Sequence, residues 1–183
     1  MKFTSVSLLA LLAVSSLPAL AIASPEKGLE IAIAADNRDK GFGDTTADMT
    51  MTLTDKYGQS TSRAIRNRTL EGNDEGDKSI VIFDSPGDVR GTAFLSHTKK
   101  TETDDQWLFL PALKRVKRIA SSNKAGPFMG SEFAYEDISS QEVEKYTYNY
   151  LRDETVNGLD CYVIEYDPID PKSGYKRQVV WMD

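Results

Sequence analysis

The chain has 183 residues, with 22 basic and 28 acidic side chains and a formal net charge of −6. This acidic balance argues against nucleic acid as a partner. The single cysteine excludes an intramolecular disulfide, and the single histidine excludes a metal site built from several histidines.

The first 23 residues have the features of a cleaved export signal. Lys2 precedes an interrupted apolar run, and Ala21-Ile22-Ala23 has the small-x-small pattern of a signal-peptidase site. We expect cleavage after Ala23, with cleavage after Ala21 as the second choice. An exported, soluble chain with one domain at residues 24–183 follows, since about 160 residues suffice for a single core.

One helix is predicted at the start of this domain. Ser24 is a suitable N-cap and Pro25 a suitable first-turn residue, and Leu29, Ala32 and Ile33 recur at helical spacing. This wide apolar stripe predicts packing against a sheet. The rest of the chain has strand patterns, at 48–55, 60–70, 79–84, 89–97, 107–110, 114–118, 145–156, 159–167 and 175–182.

Short turns separate these strands and predict an antiparallel meander. Asn157-Gly158 is the strongest hairpin signal. Residues 80–83 and 107–110 are apolar on both sides, which is typical of strands covered on both faces. We therefore predict an α+β fold in which a strongly curved antiparallel sheet holds the helix and residues 126–140 on its concave side. The pattern stops in mid-strand at Asp183, so we also expect C-terminal strands beyond this sequence.

Residues 104–139 contain the most unusual stretch of the chain. Trp107 to Leu110 is predicted to form the wall of a cavity, and Lys114 to Arg118 a basic rim. The following glycine-containing loop carries large apolar side chains at Phe128, Met129 and Phe133. Such side chains among polar residues and glycines are expected to cover something, so we predict that this loop is a lid.

No catalytic or cofactor-binding motif is present. His97 is interpreted as an exposed residue at the end of a strand, and Cys161 as a small buried side chain. The loop at 126–131 lacks the lysine and the spacing of a phosphate loop. The acidic segments at 74–77 and 102–105 lack the graded spacing of a calcium loop. The sequence therefore indicates neither an enzyme nor a bound cofactor or metal.

The basic segment has two interpretations. It can dock onto anionic headgroups or an acidic partner, or it can be the solvated face of a hairpin whose cross-strand partners include Asp104 and Asp105. The residues concerned are Lys114, Arg115, Lys117 and Arg118.

The apolar side chains of the strands and the lid also have two interpretations. Each can belong to the core, but together they can line a pocket for an apolar ligand, and methionines adapt to varied ligands. The predicted ligand-binding residues are Met49, Met51, Leu53, Ile80, Ile82, Phe94, Trp107, Phe109, Phe128, Met129 and Phe133.

Three blocks carry a resemblance to a known family: residues 85–95 (SPGDVRGTAFL), 105–116 (DQWLFLPALKRV) and 130–137 (GSEFAYED). In this order and spacing the chain resembles the outer membrane lipoprotein-sorting family, the LolA-like periplasmic proteins of Gram-negative bacteria. The resemblance implies an unclosed antiparallel β-barrel with a helical lid. It also implies a cavity that binds acyl chains of lipoproteins or other lipids and carries them towards the outer membrane.

The resemblance further implies an RND-type inner membrane transporter or an outer membrane acceptor as partner, without stable membrane insertion. Arg63, Arg66 and Arg68 are the candidates for holding the lid. The alternative function is an RseB-like periplasmic sensor or regulatory module on the same fold, without delivery of cargo.

Overall fold

The computed structural model describes residues 23–72 and 75–183, so the predicted export signal lies outside the described residues apart from Ala23. The described part contains helix α1 (Pro25–Arg38) and nine strands. The strands are β1 (Asp44–Thr54), β2 (Ser60–Leu70), β3 (Lys78–Ser85), β4 (Ala93–His97), β5 (Asp105–Leu110), β6 (Arg115–Ile119), β7 (Tyr146–Val156), β8 (Leu159–Pro168) and β9 (Gln178–Met182).

The strands form two antiparallel sheets. One has six strands in the order β1 to β6, and the other has three in the order β7 to β9. The predicted hairpin at Asn157-Gly158 is confirmed, and both residues have the positive φ that a tight two-residue turn requires. The prediction of an α+β fold with a large antiparallel sheet that does not close into a barrel is confirmed.

Four strand starts differ from the sequence prediction by two residues or more: β1 begins at Asp44 instead of residue 48 and β5 at Asp105 instead of residue 107, and β4 and β9 begin later than predicted. Strand β4 begins at Ala93 instead of residue 89, because residues 86–92 form a turn in which Val89 N–H donates to the Pro86 carbonyl. Gly91 in this turn has a φ of 77° and closes it by donating to Phe83 O. Strand β9 likewise begins three residues late, at Gln178.

Helix α1 packs against a sheet, as the sequence predicted, but on β7 of the three-stranded sheet and through a face that keeps only Ala32 of the predicted stripe. The Ser24 side chain accepts a hydrogen bond from Lys27 N at 3.3 Å and confirms the predicted N-cap. Gly28 and Ala32 are buried, whereas the predicted contact residues Leu29 and Ile33 are exposed. The physical reason is close backbone approach, because a Cβ at Gly28 would lie 2.7 Å from Tyr150 N.

The two faces of the six-stranded sheet differ in their cover. One face carries the buried side chains of Val81, Phe83, Phe94 and Leu108. Residues 121–139, which we name the lid, run across this lid face in short 3-10 turns. The opposite face, which we name the open face, carries side chains that are half-buried or exposed: Ile80, Ile82, Leu95, Trp107 and Phe109.

The prediction that the strands around residues 80–83 and 107–110 are covered on both faces is therefore wrong for the described part of the chain. Side chains alternate between the two faces of a strand. Phe83 is buried under the lid while its neighbour Ile82 is only half-buried. In β5, Leu108 is buried and Phe109 is exposed.

Phe128 fixes the lid to the sheet. Its ring centroid lies 5.9 Å from that of Phe83, 5.3 Å from that of Phe94 and 5.5 Å from that of Tyr135. The contacts with Phe94 and Tyr135 are edge-to-face, which aromatic pairs favour. The lid therefore contributes a side chain to the core of the sheet that it covers.

We expect Phe128→Ala to lower the free energy of unfolding by about 3–5 kcal/mol, the usual cost of removing a buried aromatic ring. Phe133→Ala in the same lid is the matched control. Phe128 is 0% exposed and Phe133 is 53% exposed, so the control should change stability by less than about 0.5 kcal/mol. Chemical denaturation of both variants measures this difference, and equal losses would contradict the core position of Phe128.

Candidate functional site

One arginine holds the tip of the lid. Arg63 of β2 donates from Nη1 to the backbone carbonyl of Met129 at 2.7 Å, and its guanidinium carbon lies 5.9 Å from the centroid of the Phe83 ring. Met129 has a φ of 51°, a left-handed conformation that is unusual for a non-glycine residue. We name this contact the latch.

The other two arginines predicted as lid-holding residues lie on the open face. Arg66 forms an ion pair with Asp84 at 2.6 Å. Arg68 is exposed and is opposite Ile80 in the pairing of β2 with β3. Of the three candidates, the structure therefore brings Arg63 alone to the lid.

The tip of the lid is a narrow loop. Pro127 and Ala134 form an isolated antiparallel bridge, and Phe128 N–H donates to Phe133 O at 2.6 Å. Tyr135 N–H closes the loop by donating to Gly126 O at 3.1 Å. Residues 126–135 thus form a compact unit, held to the sheet by the latch and by the ring of Phe128.

The base of the lid is anchored by buried polar side chains. Gln106 Nε2 donates to Ser139 Oγ at 2.8 Å and to Tyr135 O at 3.3 Å. The Ser96 and Ser139 hydroxyls are 2.8 Å apart and share a hydrogen bond. Because breaking a buried network leaves several polar groups unsatisfied, these hydrogen bonds hold the base of the lid to the sheet.

The outer side of the lid contacts the loop before β9. Tyr175 donates its hydroxyl hydrogen to Asp137 Oδ2 at 2.9 Å, and Lys124 pairs with Asp170 at 2.7 Å. Burial, and then the hydrogen bond with Asp137, raises the pKa of Tyr175 to about 12. The phenol therefore stays protonated and remains a donor at neutral pH.

The predicted ligand-binding residues fall on different faces of the sheet. Four of them lie on the lid face: Met49, Met51, Leu53 and Phe94. Met49 pairs with Ile65, Met51 with Arg63 and Phe94 with Val81, and Leu53 shares the face of Met51 because side chains alternate along the strand. Phe128, Met129 and Phe133 belong to the lid. Ile80, Ile82, Trp107 and Phe109 lie on the open face, so the full set cannot line one cavity.

An uncovered apolar strip borders the latch. Met49 is 44% exposed, and Met51 and Leu53 are half-buried. Met51 is the Cα partner of Arg63, and both Met51 and Met129 pack against the hydrophobic core. The lid face therefore continues beyond the lid as a strip of flexible apolar side chains.

Sequence reasoning missed several residues of the lid face. Ile65, Val81, Phe83 and Leu108 are buried there, and Tyr135 packs against them from the lid. Every second residue of a strand lies on the same face, and paired residues of neighbouring strands share a face. Starting from Phe94, these two rules identify the sheet residues among them once the strand register is known. That register was not known from the sequence.

A cavity near the lid has several charged side chains in its wall. It measures about 340 Å³ and lies between the lid and the start of the loop before β9, with Asp104, Lys124, Glu136 and Lys145 in its wall. Lys145 pairs with Asp104, and Lys124 with Glu136 at 3.8 Å. These charges make this cavity a poor site for an acyl chain.

The predicted basic residues are at the end of the β5–β6 hairpin. Arg118 pairs with Asp105, in agreement with one of the two interpretations, but Asp104 pairs with Lys145 instead. Hydrogen bonds from Lys99 and then from Arg118 lower the pKa of Asp105. Within residues 23–72 and 75–183, the other three basic residues of the segment have no ion pair: Lys114, Arg115 and Lys117.

Cys161 and His97, the two residues considered for a chemical role, both lie at least partly buried in the fold. Cys161 is a free, buried thiol, which confirms its interpretation. His97 is half-buried, and its ring centroid lies 5.1 Å from that of Trp107 in an edge-to-face contact, so its interpretation as an exposed residue is wrong.

Across the part of the chain that the structure describes, no helix has the length and apolar character needed to cross a membrane.

Known proteins resemble the chain along most of its length. A family model described as "uncharacterized protein" matches residues 75–183. The comparison with curated proteins gives no match. Among solved structures, an outer membrane lipoprotein-sorting protein domain from Vibrio parahaemolyticus is 57% identical with a TM-score of 0.85, over 87% of this chain and 68% of that chain.

Two further structures are similar. A DUF1329 family protein from Desulfovibrio piger is 31% identical with a TM-score of 0.79, over 85% of this chain and 67% of that chain. A LolA superfamily protein from Nitrosomonas europaea is 21% identical with a TM-score of 0.55, over 84% and 65% of the two chains, and shares the fold. The chain belongs to the outer membrane lipoprotein-sorting protein family.

Removing the latch should free the tip of the lid. A hydrogen bond with a charged partner contributes about 1.5–3 kcal/mol, so we expect Arg63→Leu to accelerate amide hydrogen exchange in residues 126–135 by about tenfold or more. The amides of Phe128 and Tyr135 are direct reporters, because both donate within the tip.

Arg68→Leu is the matched control, since it makes the same change in the same strand on the open face. Exchange in residues 126–135 should then match that of the unmodified protein. If Arg63→Leu left this exchange unchanged, the latch would have no role in holding the lid.

Proposed function

We propose that this chain is a periplasmic carrier that binds lipoprotein acyl chains or other lipids on its lid face and takes them towards the outer membrane. Its membership of a lipoprotein-sorting family supports the carrier class. The outer membrane as destination follows from the similarity to the outer membrane lipoprotein-sorting domain from Vibrio parahaemolyticus. An RND-type inner membrane transporter as donor, or an outer membrane acceptor, belongs to the same proposal.

The observation that carries the proposal is the combination of the latch with an apolar face. The lid closes over Phe83 and Phe94, and the tip is held by one arginine–carbonyl hydrogen bond and one inserted ring. The apolar strip at Met49 and Met51 remains accessible beside it. A long acyl chain can therefore start on the strip and continue under the lid once the tip moves away.

The free energies favour replacing the contacts of the lid tip with contacts to an acyl chain. Breaking the latch costs about 1.5–3 kcal/mol, and withdrawing the buried ring of Phe128 costs about 3–5 kcal/mol. Burial of each methylene gains about 0.8 kcal/mol, so roughly ten buried methylenes offset both costs. A fatty acyl chain supplies this number, whereas a small polar ligand does not.

The groups at this face favour binding over catalysis. The side chains of the lid face are aliphatic or aromatic around Phe83 and Phe94, and Arg63 is engaged with the lid. Ser96 and Ser139 share a hydrogen bond, and Gln106 donates to the same serine. We therefore assign no catalytic step to the site.

A fluorescent fatty acid tests this function. We expect saturable binding to the mature protein and displacement by unlabelled acyl chains, and we expect Met49→Glu to weaken binding by about tenfold or more, because the ligand would bury a carboxylate. Thr50→Glu is the matched control: Thr50 is the exposed neighbour on the other face of β1.

Mass spectrometry of lipids extracted from the purified protein gives the identity of the cargo. A protein without co-purified or displaceable acyl ligand would contradict the carrier function. If the same protein formed a stable complex with a periplasmic segment of a membrane protein, the RseB-like regulatory alternative would replace it.

A further inference from the structure

The end of the β5–β6 hairpin combines exposed apolar side chains with basic ones. Leu113 is 64% and Val116 is 65% exposed, and Phe109, the Cα partner of Val116, is also exposed. We name these three residues the apolar tip. They continue the apolar open face, where Trp107 is half-buried two positions before Phe109. An exposed apolar patch with a polar rim is typical of an interaction surface.

The charge around the apolar tip is concentrated and unbalanced. Residues 106–131 contain five basic and no acidic side chains, in a chain that has 28 acidic residues in total. Lys114, Arg115 and Lys117 are exposed and lack ion pairs among the described residues, whereas Arg118 pairs with Asp105. Three cations at this place therefore have no carboxylate of the described chain to neutralise them.

The cations surround the apolar tip on several sides. Lys114 occupies the turn with a φ of 48°, between the 3-10 turn Pro111–Leu113 and β6. Arg115 and Lys117 are on the lid side of β6, and Val116 and Arg118 are on the open side, because side chains alternate along a strand. The hairpin end thus combines an apolar centre with unpaired positive charge at the turn and on the lid side of β6.

From this arrangement we infer that the hairpin end docks onto the surface of an anionic lipid bilayer. Leu113 and Val116 enter the boundary between headgroups and acyl chains, and the three unpaired basic residues, Lys114, Arg115 and Lys117, contact the phosphate groups around them. This inference rests on the proposed function in one respect: a lipid carrier has to approach a membrane, and the hairpin provides the contact.

A bilayer fits this surface better than an acidic protein does. A folded partner presents its charges on one rigid face, whereas the unpaired cations here point out of the turn as well as to the lid side of β6. A headgroup layer surrounds an inserted tip on all sides. A bilayer also takes up the apolar tip without needing a pocket of matching shape.

Vesicle flotation tests the inference with the mature protein, purified after export. Its mass must show that residues 1–23 are absent, because that apolar segment would bind vesicles by itself. We expect binding to vesicles of phosphatidylglycerol and phosphatidylethanolamine but not to phosphatidylcholine vesicles. Binding should weaken as salt is raised from 0.01 M to 1 M, because the screening length falls from about 30 Å to 3 Å.

Charge and apolar variants separate the two contributions. The double variant Lys114→Glu, Lys117→Glu should bind anionic vesicles about tenfold or more weakly. Lys56→Glu, Lys176→Glu makes the same charge change at exposed lysines outside the hairpin and should bind nearly as well as the unmodified protein. Val116→Thr keeps the β-branched shape of a strand residue and should weaken binding through the lost apolar contact.

Fluorescence gives a second measurement at the site. Trp181→Phe leaves Trp107 as the single tryptophan, and its emission should shift to the blue when anionic vesicles are added. Binding of the fatty acid without vesicles should be unchanged in the lysine variants. If the unmodified protein did not bind the fatty acid, this result would contradict the proposed function and leave the membrane-docking inference standing.

Three results would overturn the inference. Equal binding to anionic and phosphatidylcholine vesicles would remove the role of charge. Equal losses in both lysine double variants would show an effect of net charge instead of a defined surface. Binding to polyglutamate without binding to anionic vesicles would assign the hairpin to an acidic protein.

Discussion

The insertion of Phe128 into the six-stranded sheet is the interaction on which the rest of this structure depends. It joins the lid to the rings of Phe83 and Phe94, and Tyr135 closes the cluster from the lid side. Without it, the tip of the lid would be held to the sheet mainly by the hydrogen bond from Arg63 to Met129. The left-handed conformation of Met129, which costs free energy in a non-glycine residue, persists because these contacts fix both sides of it.

The alternation of side chains along each strand divides the protein into two surfaces with different uses. In β5, Gln106 and Leu108 lie on the lid face, where Gln106 anchors the base of the lid. Trp107 and Phe109, which follow Gln106 and Leu108 in the strand, lie on the opposite face. Cargo binding and membrane docking are therefore assigned to opposite sides of the same strand, so a ligand can enter on one side while the other side is occupied.

Much of the fold could be predicted from local signals. Asn157-Gly158 identified its hairpin, and Ser24 identified the start of the helix, because both depend on backbone conformations that the residue types favour. The face of the helix could not be predicted, since its packing depends on the close approach of Gly28 to Tyr150. The candidate site was only partly predictable for a related reason: continuous apolar runs such as residues 80–83 do not tell which side chains face the lid.

The register of β5 connects both surfaces to one constraint. A shift of one residue would move Trp107 under the lid and Gln106 onto the open face, because the side-chain period of a strand is two. The lid base would lose its amide donor, so the Tyr135 carbonyl and the Ser139 hydroxyl would both lose the hydrogen bonds that Gln106 donates. The ion pair between Arg118 and Asp105, together with that between Asp104 and Lys145, fixes the start of β5 on both sides. The sequence suggested Asp104 and Asp105 as possible partners of the basic rim. These carboxylates therefore also help to keep the lid face and the open face distinct.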